Sequence, residues 1–277
     1  MSTYAYLGPS GTFTEAALLG ITSPFDQLIP SSNVTAALEA VRSGNADFAL
    51  VPIENSVEGV VARTLDELAT GEALEIIAET TIQVSFALMT LPGKLAGSIT
   101  RIATHPHAES QCRSYIAREF PSAQIVATPS TAAAAEGLKE GNWDGAIAAK
   151  IAAEKYGLTV VAENIGDNEA AVTRFVLVRK PATVPAPTGN DRTSLVAYIA
   201  IDHAGALLEI LTEFAKNSVN LSFIQSRPTG RELGHYHFII DVEGHQSDDS
   251  VARSIHGLRS ICEDIRVLGS YPRATSR

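Results

Sequence analysis

Cysteine is scarce. Only Cys112 and Cys262 occur, far apart and in no CxxC pair. That excludes a disulfide framework and a cysteine-built zinc site, and it fits reduced thiols in a cytoplasmic setting. Basic residues are also in short supply: 21 Lys and Arg stand against 31 Asp and Glu, for a net charge of −10. A nucleic-acid-binding surface, which needs a basic stripe, is thereby disfavoured. A small anionic ligand is not, because a local pocket can oppose the sign of the whole chain. No run of about 18 apolar residues appears, so no membrane span is expected. Met1 to Pro9 carries neither a basic nor an apolar segment, and no signal peptide is read there. The glycines of Gly8-Pro-Ser-Gly11 are wrongly spaced for a dinucleotide fingerprint. His105, His107 and Cys112 fit no common zinc spacing. No metal is expected.

What is present is a globular composition, 45% apolar and 19% charged, over 277 residues, a length comfortable for two domains. Up to about residue 180 the pattern repeats strand, polar turn, helix. Tyr4–Leu7 is a strand, Gly8–Gly11 a turn, and Thr12 with Glu15 matches a capping box ahead of an Ala-rich helix. Ser32 or Asn33 caps a helix bearing Val34, Ala37, Leu38 and Val41. Ala46–Ile53 is a strand that runs into Glu54-Asn-Ser56, with a helix over 61–68. Leu74–Leu91 is rich in strand. Pro106 suits the first position of one helix running to about Phe120, and Ser130 or Thr131 caps a helix over 132–139. Such alternation predicts an α/β region with mostly parallel sheets, whose ligands sit beyond strand carboxyl ends near helix N-termini. Four polar turns hold that place: Ser10–Thr12, Glu54–Ser56, Thr104–His107 and Ser130–Thr131.

The strand around Val172–Val178 opens on Thr173-Arg174-Phe175. Side-chain alternation puts Thr173 and Phe175 on one face and Arg174 on the other. An apolar strand that begins with a hydroxyl and a guanidinium reads either as a strand end opening into a site or as a buried strand with a polar entry. A proline-stiffened linker covers 181–191, and after it the order is βαββαβ, a ferredoxin-like arrangement. Its strands are read at 193–201, 219–227, 235–242 and 265–271, its helices at 206–216 and 250–258, with a turn through Gly230 and Gly234. His235 and His237 alternate onto one strand face and read as packing residues, as does Trp143.

Taken together, Gly8-Pro-Ser-Gly-Thr-Phe-Thr14, Pro52-Ile-Glu-Asn-Ser-Val-Glu-Gly59, Thr104-His-Pro-His-Ala-Glu-Ser-Gln-Cys112, Thr173-Arg-Phe175 and the ferredoxin-like tail resemble the monofunctional bacterial prephenate dehydratases that carry a regulatory ACT domain. Three details depart from the usual pattern. Thr104 stands where Ser is frequent, Gln225-Ser-Arg-Pro228 begins with Gln in place of Glu, and Gly205-Ala-Leu-Leu208 ends in Leu where Val is common. The resemblance implies a two-lobed catalytic domain over 1–180, like a type II periplasmic binding protein, with lobe one at 1–80 and 165–180 and lobe two at 81–164. It implies an ACT domain over 192–277, a cytoplasmic homodimer or homotetramer, and no cofactor.

It also implies the chemistry. Prephenate loses carbon dioxide and a ring hydroxyl to become phenylpyruvate, and the gain of aromaticity supplies the driving force. The resemblance puts catalytic weight on Thr173, with Asn55 and Gln111 beside it. Because a threonine hydroxyl is a very weak acid, Thr173 is read as relaying a proton from water or from Glu54. Ser10, Thr12, Ser56, Thr104, Ser130, Thr131, Arg174 and Phe175 are assigned to substrate holding or to the shape of the site, Arg174 also reading as half of a structural ion pair. The implied effector is L-phenylalanine, taken by His203, Gly205, Ala206 and Leu207 together with Asn220, Leu221 and Ser226. Two other functions stay open: an arogenate dehydratase, and a non-enzymatic small-molecule binding protein with an amino-acid-sensing tail.

Overall fold

A computed structural model describes residues 1–199, 203–229 and 236–274. Asp202, the turn through Gly230 and Gly234, His235 and the last residues of the strand expected at 193–201 lie outside the described residues. The chain divides into two compact units: Met1–Ala37, Leu50–Val61 and Thr81–Phe175 in one, Leu38–Ala49, Ala62–Thr80 and Val176–Arg277 in the other.

The elements run β1 (Thr3–Leu7), α1 (Phe13–Leu19), β2 (Gln27–Ser31), α2 (Val34–Arg42), β3 (Phe48–Asn55), β4 (Gly59–Val60), α3 (Ala62–Thr70), β5 (Glu75–Gln83) and β6 (Phe86–Thr90). Then come β7 (Arg101–Thr104), α4 (Pro106–Gln111), α5 (Arg113–Glu119), β8 (Gln124–Ala127), α6 (Thr131–Glu136), β9 (Gly145–Ala149), α7 (Ile151–Tyr156), β10 (Thr159–Ala162) and β11 (Val172–Arg179). The tail holds β12 (Asp191–Tyr198), α8 (Ala206–Lys216), β13 (Leu221–Pro228), β14 (Tyr236–Glu243), α9 (Asp249–Leu258) and β15 (Asp264–Pro272).

Strand order is β2-β1-β3-β11-β5 in the first sheet, with β4 on β3, and β10-β6-β9-β7-β8 in the second. The second sheet is mixed, not mostly parallel as the alternation suggested: β6 runs antiparallel to both β9 and β10, while β7 runs parallel to β8 and β9. The chain enters β6 directly from β5 with no helix between them, and β6 is the strand that runs against the rest, whereas α7 joins β9 to β10 in the same direction.

Small residues set how closely layers approach. β9 is Gly-Ala-Ile-Ala-Ala and wholly buried, and α6 lays Ala134 and Ala135 into the same core as Leu138. A Cβ on Gly137 would come within 2.4 Å of the Trp143 ring, whose Nε1 donates to the Ala134 carbonyl at 2.8 Å. Only glycine lets the indole close that helix end.

The single helix expected from Pro106 to Phe120 is two. It breaks at Cys112, where the backbone turns to φ −119° and ψ 15°. The break frees the Gln111 carbonyl and the Ser114 N–H, and Asp167 takes both, through its own N–H at 2.6 Å and its carboxylate at 3.2 Å. Burial pushes the Cys112 thiol up to about 12, so it behaves as a small apolar residue there.

In the second unit the tail forms an antiparallel sheet, β13-β14-β12-β15, with α8 and α9 on one face. Ile210, Phe214, Val251, Ile255 and Leu258 from the helices meet Leu195, Ala197, Phe238, Ile240 and Val242 from the strands. The other face turns to α3. Arg227 pairs with both carboxylate oxygens of Asp66 at 2.8 and 2.7 Å. Tyr198 donates to the Ala69 carbonyl, and Arg266 to the Gly71 carbonyl at 2.9 Å. On this face His237 is fully buried, and among the described residues neither ring nitrogen has a hydrogen-bond partner.

Burial holds the His237 imidazole below its ordinary pKa, with Arg227 pushing the same way and Asp66 opposing. The folded state resists a proton that the unfolded chain accepts, so the favourable neutral form is fully present above about pH 6.5 and stability is lost as pH falls below it. Thermal unfolding scans from about pH 7.5 down to about 5.5 are expected to show a smaller drop in midpoint for His237→Phe than for the parent chain. Equal drops would assign the acid sensitivity elsewhere.

Candidate active site

A cleft of about 700 Å³ opens in the first unit, and every described residue that lines it belongs to that unit. Its walls are the turn after β1, the end of β3 with β4, the start of β6, the entries to α4 and α6, and Thr173 at the start of β11.

Thr173 lines it and is 9% exposed. Asn55 Nδ2 donates to its Oγ1 at 2.8 Å. The amide cannot turn over, because Asn55 Oδ1 already accepts from the Val57 and Glu58 N–H groups at 2.8 and 2.9 Å. Its oxygen end is thus fixed by the backbone turn and its nitrogen end by Thr173. With a lone pair of Thr173 committed to Asn55, the threonine proton takes no part in that bond.

The same turn presents Glu58. Its Oε1 accepts from Gln111 Nε2 at 3.0 Å, and its Oε2 lies 3.6 Å from His107 Nδ1. His105 caps α4: its Nδ1 accepts from the His107 N–H at 3.3 Å, which leaves the ring proton on Nε2. Burial, with His107 adding to it, keeps His105 below its ordinary pKa, hence neutral near pH 7. Phe13 and Phe86 meet edge to face at 5.4 Å and supply an apolar wall. No lysine or arginine is among the described residues that line the cleft. No group of three or more metal-ligating side chains occurs among the described residues.

Of the residues singled out in the sequence, Thr12, Asn55, Gln111, Ser130, Thr131 and Thr173 come together in this cleft. Others do not line it. Glu54 alternates away from Asn55 on β3, and its Oε2 lies 3.4 Å from Arg174 Nε, on the strand face opposite Thr173. It therefore stands apart from the proton path implied for it, and Arg174 is turned away with it. Phe175, on the Thr173 face, lies two residues further into the sheet and is core. Ser56 clamps the strand ends, its Oγ accepting from the Val172 N–H at 2.9 Å. Thr104 is fully buried, donating to the Ile147 carbonyl at 2.8 Å. The Ser10 hydroxyl faces Tyr6 Oη at 3.1 Å, on the far side of its turn.

His105 and His107, in the polar turn expected at this place, also line the cleft, as does Glu58, which lies outside the four turns named from the sequence. Glu58 has a readable signal: Asn55 three residues earlier can turn the backbone back on itself with its side chain.

In the tail, Gly205 adopts φ +101° to start α8, Ala206 is buried, and Leu207 and Leu208 are exposed. His203 Nε2 lies 3.1 Å from Glu209 Oε1. Asn220 and Ser226 are exposed and Leu221 is half-buried. Ser226 pairs with Phe238 and Ile224 with Ile240, so both sit on the sheet face that carries the helices.

The Prephenate dehydratase family model matches residues 4–183, and the ACT domain model residues 193–260. A curated prephenate dehydratase of Amycolatopsis methanolica is 45% identical over 99% of this chain and 90% of its own length. Among solved structures, prephenate dehydratase from Arthrobacter aurescens in complex with L-Phe is 51% identical, with a TM-score of 0.92 over 98% of this chain and 90% of that one. A protein called GqqA, described as a novel type of quorum-quenching acylase, is 30% identical with a TM-score of 0.88 over 98% of both chains.

Proposed function

The chain belongs to the prephenate dehydratase family and carries an ACT domain, and from that premise we propose that it converts prephenate to phenylpyruvate, carbon dioxide and water under control by L-phenylalanine. The observation that carries the reading is the Asn55–Thr173 hydrogen bond at the cleft, in which the threonine oxygen accepts and its proton stays available. The catalytic part spans 1–180, with lobe one at 1–80 and 165–180 and lobe two at 81–164; residues 181–191 link it to the ACT domain at 192–277.

The bond from the ring to its carboxylate breaks and releases carbon dioxide. Its electron pair enters the ring, and hydroxide departs from the opposite carbon. One proton is consumed in turning that hydroxide into water. Thr173 donates a hydrogen bond to the departing oxygen, and Asn55 fixes the direction of that donation. A threonine hydroxyl is too weak an acid to give its proton up unreplaced, so water supplies it by way of Thr173. The substrate carboxylates meet hydroxyls, amides and first-turn N–H groups at the entries to α1, α4 and α6, where helix dipoles favour negative charge. The exchange of protein dipoles for water is most of what this reaction asks of a protein.

L-phenylalanine is the effector by likeness to the Arthrobacter aurescens protein, and the start of α8 with β13 is its site, lined by His203, Gly205, Ala206, Leu207, Asn220, Leu221 and Ser226. Exposed Leu207, Leu208 and Ile224, beside an edge strand, support a second copy of the chain there and hence a homodimer or homotetramer. The two free cysteines and the absence, among described residues, of a helix long and apolar enough to cross a membrane support a cytoplasmic enzyme.

Purified protein given prephenate is expected to produce phenylpyruvate, read by ultraviolet absorbance. No product would favour the non-enzymatic reading, and a faster rate on arogenate would reassign the substrate. Thr173→Ala should lower kcat by roughly 10²–10⁴-fold while Thr173→Ser keeps most of it; an active alanine variant would make the hydroxyl idle. Glu54→Gln should cost less kcat/KM than Asn55→Ala, since Glu54 faces away from the cleft. L-phenylalanine should change the rate and raise the unfolding midpoint. If it left both unaltered, the sensing role would fail.

A further inference from the structure

Two bridges join α7 of lobe two to the turn after β1 in lobe one, and the dehydration chemistry uses neither. Tyr156 Oη donates to the Ser10 carbonyl at 2.7 Å. Lys155 Nζ reaches Glu15 Oε1 at 3.2 Å, while Glu15 Oε2 accepts from the Gly11 N–H. Glu15 is only 5% exposed, a carboxylate inside the fold whose counter-charge comes from the other lobe. Thr12 caps α1 through its Oγ1, at 3.3 Å from the Glu15 N–H, so the carboxylate is free to hold the turn one residue earlier, at Gly11. Gly11 is at φ +85°, and a Cβ there would stand 3.0 Å from the Tyr156 ring and 3.2 Å from Ala152 Cα. The turn is therefore pressed onto α7 and bonded to it through its own backbone groups. The next residue, Thr12, lines the cleft.

Away from this contact, the lobes are joined by two crossing segments. Val84 N–H donates to the Ala171 carbonyl at 2.7 Å, and Ser85 Oγ to Asn164 Oδ1 at 2.6 Å. Asn164 holds φ +53°, in the left-handed region. Paired connecting segments of this kind absorb a hinge rotation, and what fixes the closed angle is a contact away from them.

We propose that Tyr156, Lys155 and Glu15 are positioning residues: a latch that holds the lobes at reacting width and seats the Ser10–Thr12 turn against the substrate. The proposal rests on the dehydratase reading. Loss of the latch lowers the fraction of protein that is closed before substrate arrives, and apparent affinity falls by that fraction. Bound substrate then supplies its own bridging contacts, so the rate at saturation is kept. A single neutral hydrogen bond corresponds to about a fivefold change.

Tyr156→Phe keeps the ring on Gly11 and removes only the bridge. It is expected to raise KM for prephenate about three- to tenfold, with kcat within about twofold. Lys155→Met should raise KM in the same way, and Lys155→Arg should restore it. If the parent chain turns over prephenate while Tyr156→Phe and Lys155→Met leave KM unmoved, or lower only the unfolding midpoint, the latch is overturned and the dehydratase reading stands. If the parent chain yields no phenylpyruvate, the reading itself fails and the latch falls with it.

Discussion

The active-site arrangement depends on one side-chain amide with no freedom to flip. Asn55 is held at its oxygen by two backbone N–H groups and at its nitrogen by Thr173, a residue far along the chain on a neighbouring strand. That one group ties the threonine oxygen to the turn that carries Glu58. The clamp by Ser56 on Val172 holds the same two strand ends in register. A hydroxyl on a flexible loop would lose much of its effect, because a donor must be aimed before the charge develops.

The protein as a whole is acidic, yet its proposed substrate is a dianion. The cleft is lined with dipoles in place of cations: hydroxyls, amides, a neutral His105 and the entries of helices. Fixed dipoles of this sort need no reorganisation when charge moves across the ring. Glu58, the carboxylate at the cleft, is tied to Gln111 and faces His107.

Much of this was legible in the sequence because local rules and the tertiary fold agree. Thr12 and Ser130 cap helices as their spacing predicts, and α8 begins and ends where its apolar stripe does. The order βαββαβ of the tail is readable from alternating periods alone. Asn33 rather than Ser32 accepts the capping bond of α2, a choice between neighbours that spacing cannot make. The break at Cys112 was invisible because it depends on Asp167 from a distant loop. Likewise, membership of the motifs pointed at Glu54, Thr104, Ser10 and Ser56, but strand parity and burial decide which neighbour of a motif residue faces the cleft. Short motifs report a place in the fold more faithfully than they report a side-chain direction.

The end of α3 has a consequence for how the chain can be divided. The Ala69 and Gly71 carbonyls accept from Tyr198 and Arg266, and Asp66 is gripped by Arg227, so three different tail strands complete one short helix. A truncated enzyme ending near the linker would expose that helix end to solvent and strand a carboxylate without its partner. The regulatory module is thus also a piece of scaffolding, and its excision would test folding as much as feedback.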